Sequence, residues 1–280
     1  MGERRDIPLP SRPYELHVVL VRPTHPGNLG AVCRAMLNFG FTSLRLIDPQ
    51  CSPDDEEARN RAKHAGMILD NCQSYADWGS AVSDMSLVIG TSGKRESGEK
   101  TLFRHFIQPW ELAKKLDHIS GKVALIFGEE GTGLSTDELQ NCDQLMTIPT
   151  WEGYPICNLS HSVALSLYEL NRSILTDAEV ELEEDNPLTE NLQLTRAINP
   201  ELRRLLRLSI DEFASALEGD EFKQSMIADN LRRTIMRGQP IDNEAQRLIG
   251  ALVEATTALQ KLSGDEQWMN SRRRRIDSRN

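Results

Sequence analysis

Residues 122–170 read KVALIFGEEGTGLSTDELQNCDQLMTIPTWEGYPICNLSHSVALSLYEL, and the fold is decided there. An apolar run, Val123–Phe127, ends at Gly128. A glycine-rich acidic turn, GEEGTGL, follows, and then a helix starter, STDEL. A second run, Gln144–Ile148, ends at Pro149, and after a loop Asn158-Leu159-Ser160 opens an amphipathic helix. Short apolar runs bounded by Gly and Pro read as buried strands. Two strand ends and one helix start, carrying Gly, Pro and Asn, outline one ligand pocket built mostly from backbone.

The same alternation extends upstream. Glu15–Val21, Ser43–Ile47 and Ser86–Ile89 read as strands. Asn28 is a candidate helix cap, and Leu29, Val32, Cys33, Met36 and Leu37 recur at helical spacing up to Gly40. EEARNRAKHAGMIL reads as one helix with a weak strand near Cys72, Tyr75–Val82 as a helix, and Pro109 as the start of WELAKKL. Strands alternating with helices imply an α/β fold, a parallel sheet covered on both faces.

Composition shifts at Asp177. Six of the nine residues from Asp177 to Asp185 are acidic, and Asn186-Pro187 follows. Beyond it, ELRRLLRLSIDEFASAL, FKQSMIADNLRRTIMRG and NEAQRLIGALVEATTALQKL each show helical periodicity. The expected organisation is a flexible arm (1–14), an α/β domain (15–176), an acidic linker (177–189), a small all-helical extension (190–264) and a basic tail (265–280).

Bulk properties narrow the classes. No apolar stretch approaches the roughly 18 residues of a membrane helix. The N-terminus MGERRDIPLPSRPYEL lacks the apolar core of a signal peptide. The five cysteines form no C-x-x-C pair, so neither a disulfide framework nor a metal site is suggested. A cytoplasmic protein is the expectation. The net charge of −10 runs against a nucleic-acid partner, but clustering of cations matters more than their sum. Clusters stand at Arg59, Arg61, Lys63 and His64, at Arg203, Arg204 and Arg207, at Arg232, Arg233 and Arg237, and at Arg272–Arg275.

GEEGTGL is not G-x-G-x-x-G, so a nicotinamide-binding Rossmann sheet fits poorly. Alone, the turn suits a tight structural corner as well as a ligand loop. However, open α/β sheets bind ligands beyond the carboxyl ends of their strands. Three such ends carry ligand-ready loops: Gly90-Thr91-Ser92-Gly93, Gly128-Glu129-Glu130 and Ile148-Pro149.

Three segments, HPGNLGAVCRAMLNFGF, LIFGEEGTGLSTDEL and IPTWEGYPICNLSHSVALSLYE, resemble in order and spacing the three motifs of the SPOUT superfamily of RNA methyltransferases. Within it the chain is similar to the TrmJ branch, which methylates the ribose 2′-oxygen at nucleotide 32, the first residue of the tRNA anticodon loop. NLRRTIMRGQPIDNEAQRLIGALVEA also resembles that branch's helical extension. The resemblance implies a parallel α/β sheet ending in a deep trefoil knot, S-adenosyl-L-methionine as cofactor, tRNA as substrate, and a homodimer with its site near the interface. It implies no metal and no membrane.

Carried over by position, the cofactor contacts fall on Thr91, Ser92, Gly93, Gly128, Ile148, Pro155, Ile156 and Cys157. The catalytic set falls on Arg34, Asn28, Glu130 and Asn158. The third motif usually reads Ser-Leu-Asn, whereas here it is Ile156-Cys157-Asn158, so the serine hydroxyl is absent. A non-catalytic knotted RNA-binding dimer is the alternative that this change raises. A guanidinium stays protonated in proteins. The role expected of Arg34 is therefore to grip a phosphate and stabilise charge developing on the hydroxyl oxygen.

Overall fold

In the computed structural model, the described residues are 7–93, 106–116, 119–181, 195–196 and 198–263. The lysine-bearing loop after Gly93, most of the acidic segment and the basic tail with Arg272–Arg275 lie outside them. The chain divides into two units, one through Ala197 and one from Ile198.

β1 (Tyr14–Val21) lies inside the sheet of the first unit. Its side chains alternate between two apolar layers, as a strand's must. Leu16, Val18 and Leu20 join one cluster, and Val19 and Val21 join the other. On its two sides run β2 (Ser43–Ile47) and β6 (Ile119–Phe127), both parallel to it. β3 (Gln73–Tyr75) extends the sheet beyond β2. On the other side come β4 (Leu87–Thr91), then β7 (Gln144–Met146) and β5 (Phe106–Ile107). The order is β3-β2-β1-β6-β4-β7-β5, and every pairing is parallel. β8 (Thr195–Arg196) pairs with the start of β6.

Helices cover both faces, as a parallel sheet requires. α1 (Pro26–Asn38) buries Leu29, Val32, Cys33 and Met36 in the first layer. α5 (Pro109–Leu116) adds Leu112 and Leu116, and α7 (Leu159–Glu181) adds Val163, Leu167 and Leu170. α4 (Trp78–Val82) supplies Ala81 and Val82 to the second layer.

Several boundaries differ from the expectation. α1 is capped at His25 with Pro26 in its first turn, so Asn28 sits inside the helix instead of capping it. The run from Glu56 splits into α2 (Glu56–Ala62), a 3-10 turn (Lys63–Ala65) and α3 (Gly66–Asp70). Lys63 takes φ 54°, which ends α2 without a Gly or Pro to announce it. Tyr75 closes β3, and α4 starts only after Asp77, whose carboxylate accepts from Ser80 N at 2.9 Å. β7 stops at Met146, two residues before Ile148. α7 runs on to Glu181, into the acidic segment. Within the N-terminal arm, the Arg12 guanidinium donates to Phe39 O at 2.7 Å and lies 3.9 Å over the Phe41 ring.

The second unit is helical. α8 (Pro200–Ser215), α9 (Glu221–Arg237) and α10 (Asp242–Ser263) pack around Leu206, Ile210, Ala214, Ala228, Met236 and Ala245. Asn199 and Asp220 cap α8 and α9 by accepting from Glu201 N and Lys223 N.

Candidate cofactor and active site

The carboxyl ends of β1, β4, β6 and β7 open into one cavity of about 770 Å³. Its walls are apolar side chains, among them Phe106, Phe127, Leu134, Met146 and Ile148. Loop backbone completes it. The β6 loop doubles back so tightly that a Cβ on Gly128 would lie 2.1 Å from the Gly133 carbonyl carbon. Gly131 and Gly133, at φ 86° and 75°, make that reversal possible. The loop then enters α6 (Thr136–Gln140) through a capping box between Ser135 and Glu138. On the opposite wall, the Thr150 hydroxyl donates to Pro155 O at 2.9 Å and shapes the loop before α7.

At the mouth, three distant segments meet through polar side chains. The Glu130 carboxylate accepts from Thr24 N at 2.9 Å, Thr24 Oγ1 at 3.0 Å and Asn28 Nδ2 at 3.3 Å. Asn158 Nδ2 donates to Asn28 Oδ1 at 3.3 Å. The Asn158 Oδ1 accepts from Ser160 N at 2.9 Å and Ser160 Oγ at 2.8 Å, which fixes it at the start of α7. Burial pushes the Glu130 carboxyl up, but the Thr24 N–H and the Asn28 and Thr24 side chains more than reverse this, leaving it below its usual range. Glu130 is therefore an acceptor that orients Asn28, and it is poorly suited to act as a base.

Of the residues expected from sequence, Asn28, Glu130, Asn158, Thr91, Ser92, Gly93, Gly128, Ile148, Pro155, Ile156 and Cys157 all line this cavity. Arg34 does not. It is exposed in a groove beside α2 with Asn60, Arg61 and Lys63 and the acidic Asp55, Glu56 and Glu57. Six residues on, at about 100° each, carry it roughly 240° around α1 from Asn28. Sequence reasoning passed over Arg22, Thr24 and Glu138. The first two follow the carboxyl end of β1, and the strand-end rule applied to β4, β6 and β7 would have found them.

The cationic clusters are also sorted. Arg59 is held by Asp54 and Asp70. Arg203 is buried, and Arg204 and Arg232 pair with Glu201 and Asp229. Arg61, Lys63 and His64 are exposed, with Arg61 only 3.4 Å from Glu57. Among the described residues, no group of His, Cys, Asp and Glu could hold a metal ion. No described helix is long and apolar enough to cross a membrane.

A parallel α/β sheet with a backbone-lined cavity beyond its strand ends, closed by polar ties between three loops, defines an α/β ligand-binding enzyme domain. The chain belongs to the SpoU rRNA methylase family, whose model matches residues 15–168. It is a methyltransferase of that family. The chain is 44% identical over 155 residues to tRNA (cytidine-2′-O-)-methyltransferase TrmJ of Methanocaldococcus jannaschii, a match spanning 55% of this chain and 66% of that relative. It is 30% identical over 239 residues to tRNA (cytidine/uridine-2′-O-)-methyltransferase TrmJ of Citrobacter koseri, spanning 85% of this chain and 94% of that one. A match of that length must reach into the helical unit. The crystal structure of TrmJ from Z. mobilis shares the fold with a TM-score of 0.65 at 22% identity, over 85% of this chain and 97% of that chain. The resemblance carried by the three motifs is thus borne out.

Proposed function

We propose that this protein methylates a ribose 2′-oxygen of tRNA, at nucleotide 32 in the anticodon loop, using S-adenosyl-L-methionine. The observation that carries the reading is the Asn158–Asn28–Glu130 chain, which brings all three motifs to the mouth of one cavity. The two TrmJ relatives, both named as tRNA 2′-O-methyltransferases, support the substrate and the atom modified.

The cavity suits the cofactor. Its volume of about 770 Å³ falls in the roughly 300–1,000 Å³ range of small-ligand sites. Apolar walls suit an adenosine, and backbone groups along Thr91–Gly93, Gly128, Ile148 and Pro155–Cys157 would hold its polar edges. Replacing the usual serine by Ile156 leaves these backbone groups in place. When bound, S-adenosyl-L-methionine supplies the methyl group.

The protein's own work is orientation. Asn28 and Asn158, locked to each other and to Glu130, present amide groups where a ribose would enter. Holding a nucleophile in line removes several kcal/mol from a displacement barrier. Arg34 grips the adjacent phosphate and stabilises charge on the ribose oxygen. It faces away from the cavity of its own chain, so this reading has it serve the cavity of a second copy. A homodimer also accounts for the exposed Trp151, Tyr154, Ile156, Leu165 and Tyr168, on and just before α7. The family's knot belongs to the same reading, as does a cytoplasmic location with the tRNA. Arg61, Lys63 and His64, together with the helical unit, are assigned to RNA phosphates.

The test is incubation with tRNA and labelled cofactor, followed by mapping of the methyl group. A 2′-deoxy substitution at the target nucleotide should abolish labelling. Continued labelling of that RNA, or no labelling of any tRNA, would refute the reading.

A further inference from the structure

α6 forms part of the cavity rim and has no fully buried residue; only Leu139, half-buried against the second apolar layer, ties it to the core. Polar ties supplement that single apolar contact. One is the capping box, in which Ser135 N donates to Glu138 Oε2 at 2.7 Å. The capping box is internal to the rim and orders it without docking it. The polar tie from outside the rim comes from Arg22, just after β1. Its Nη1 lies 2.7 Å from Glu138 Oε1, its Nη2 3.3 Å from Glu138 Oε2, and its Nε 3.8 Å from Glu129 Oε2. A two-pronged Arg–carboxylate pair fixes direction as well as distance.

The backbone at Arg22 is built for this reach. It adopts φ 47°, a left-handed conformation that a non-glycine residue enters at a cost of about 1 kcal/mol. Its N–H donates to Ile47 O at 2.8 Å, which anchors it to β2. Arg22, Glu129, Ser135 and Leu139 all line the cavity. The pair therefore ties the end of β1 to one wall of the ligand site.

We propose that Arg22 is a positioning residue for the cofactor, its pair with Glu138 latching α6 into place as a cavity wall. This rests on the reading of the cavity as the S-adenosyl-L-methionine site. The latch sets how tightly the cofactor is held and leaves the chemical step at full occupancy unchanged.

Arg22→Gln removes one charge. Glu138→Gln removes the other while keeping an acceptor for the capping box, where Gln serves as well as Glu. Cofactor titration by calorimetry and steady-state kinetics should show about a ten-fold rise in Kd and KM for S-adenosyl-L-methionine in each variant. The kcat should stay within about two-fold. The double variant should be no weaker than either single one, and Arg22→Lys should recover part of the affinity. Amide hydrogen exchange across residues 129–140 should quicken in both single variants, while β1 and β6 stay protected. Unchanged cofactor affinity with a lowered Tm would make the pair merely structural and overturn the proposal, as would additive effects in the double variant. If the wild-type protein bound no cofactor, the functional reading would fail instead. Hydrogen exchange would still judge the latch, and unchanged exchange at 129–140 would overturn it.

Discussion

The side-chain amide of Asn158 donates to Asn28 Oδ1 at 3.3 Å, joining the start of α7 to the first turn of α1 across 130 positions of chain. The bond leaves Asn28 Nδ2 to reach Glu130 at 3.3 Å. Asn158 Oδ1 is in turn held by Ser160, so both ends of each amide are engaged by protein, which selects one amide orientation at the cavity mouth.

Removing either asparagine should therefore impair turnover more than cofactor binding. Asn28→Ala and Asn158→Ala are each expected to slow single-turnover methylation by at least about ten-fold, with cofactor Kd changed less than about three-fold. In the double variant the losses should fall short of additive by about 1 kcal/mol, because contacting residues couple. Full additivity would mean that the two act separately.

Arg34 points away from the cavity of its own chain. Arg34→Ala should lose nearly all methylation and keep its fold and cofactor affinity. Mixing it with the impaired Asn28→Ala protein should raise activity above that of either variant alone, since in the proposed dimer a mixed pair holds one site with both residues intact. A mixture no more active than the sum of its parts would place both residues in one chain's site.

The Glu130 carboxyl sits below its usual range when folded. A depressed carboxylate contributes stability that is present above the unfolded pKa and lost as pH falls through the folded value. Glu130→Gln should thus cost about 1 kcal/mol near neutrality, allowing for partial exposure. The difference from wild type should shrink below about pH 4. Urea unfolding of both proteins at several pH values reads this directly. A gap that widens in acid would contradict it.

Arg45, 3% exposed in β2, depends on Asp84, with contacts of 2.6 and 2.8 Å. Lys122 joins Asp84 at 2.9 Å. Asp84→Ala leaves the buried guanidinium with Ala81 O and His17 Nδ1. We expect a loss of about 2 kcal/mol, below the figure for a fully buried pair because Asp84 is partly exposed. Cofactor affinity should not change, since Asp84 precedes β4 and the cavity follows it. Calorimetric Tm and cofactor titration together check both halves.

Cys157 lines the cavity, whereas burial pushes the Cys33 thiol up to about 12 and the Cys51 thiol up to about 11. Only thiolates alkylate quickly. Near pH 8, iodoacetamide should therefore modify Cys157 ahead of Cys33 and Cys51. S-adenosyl-L-methionine should slow that modification, as mass spectrometry of the modified peptides would show. Equal labelling of Cys157 with and without cofactor would put the cofactor elsewhere.

The apolar runs ending in Gly128 and Pro149 determined a buried parallel sheet by themselves, because strands covered on both faces must be apolar along nearly their whole length. The loops after Thr91, Phe127 and Met146 were legible as ligand loops for a similar local reason. Gly, Ser and Pro at strand ends free backbone groups for a ligand. Other features required the tertiary structure. Nothing in the order of residues puts β6 between β1 and β4, or makes β5 a strand of two residues. The end of α2 at Lys63 carries no local signal, since neither Gly nor Pro stands there. Capping at His25 instead of Asn28 shifted the start of α1 and freed the Asn28 amide for Glu130. The rotation of α1 against the sheet, set by burying Leu29, Val32 and Met36, turned Arg34 outward. Periodicity says which residues of a helix share a face. Only packing decides what that face meets, and so the meeting of Asn158, Asn28 and Glu130 belongs to the fold as a whole.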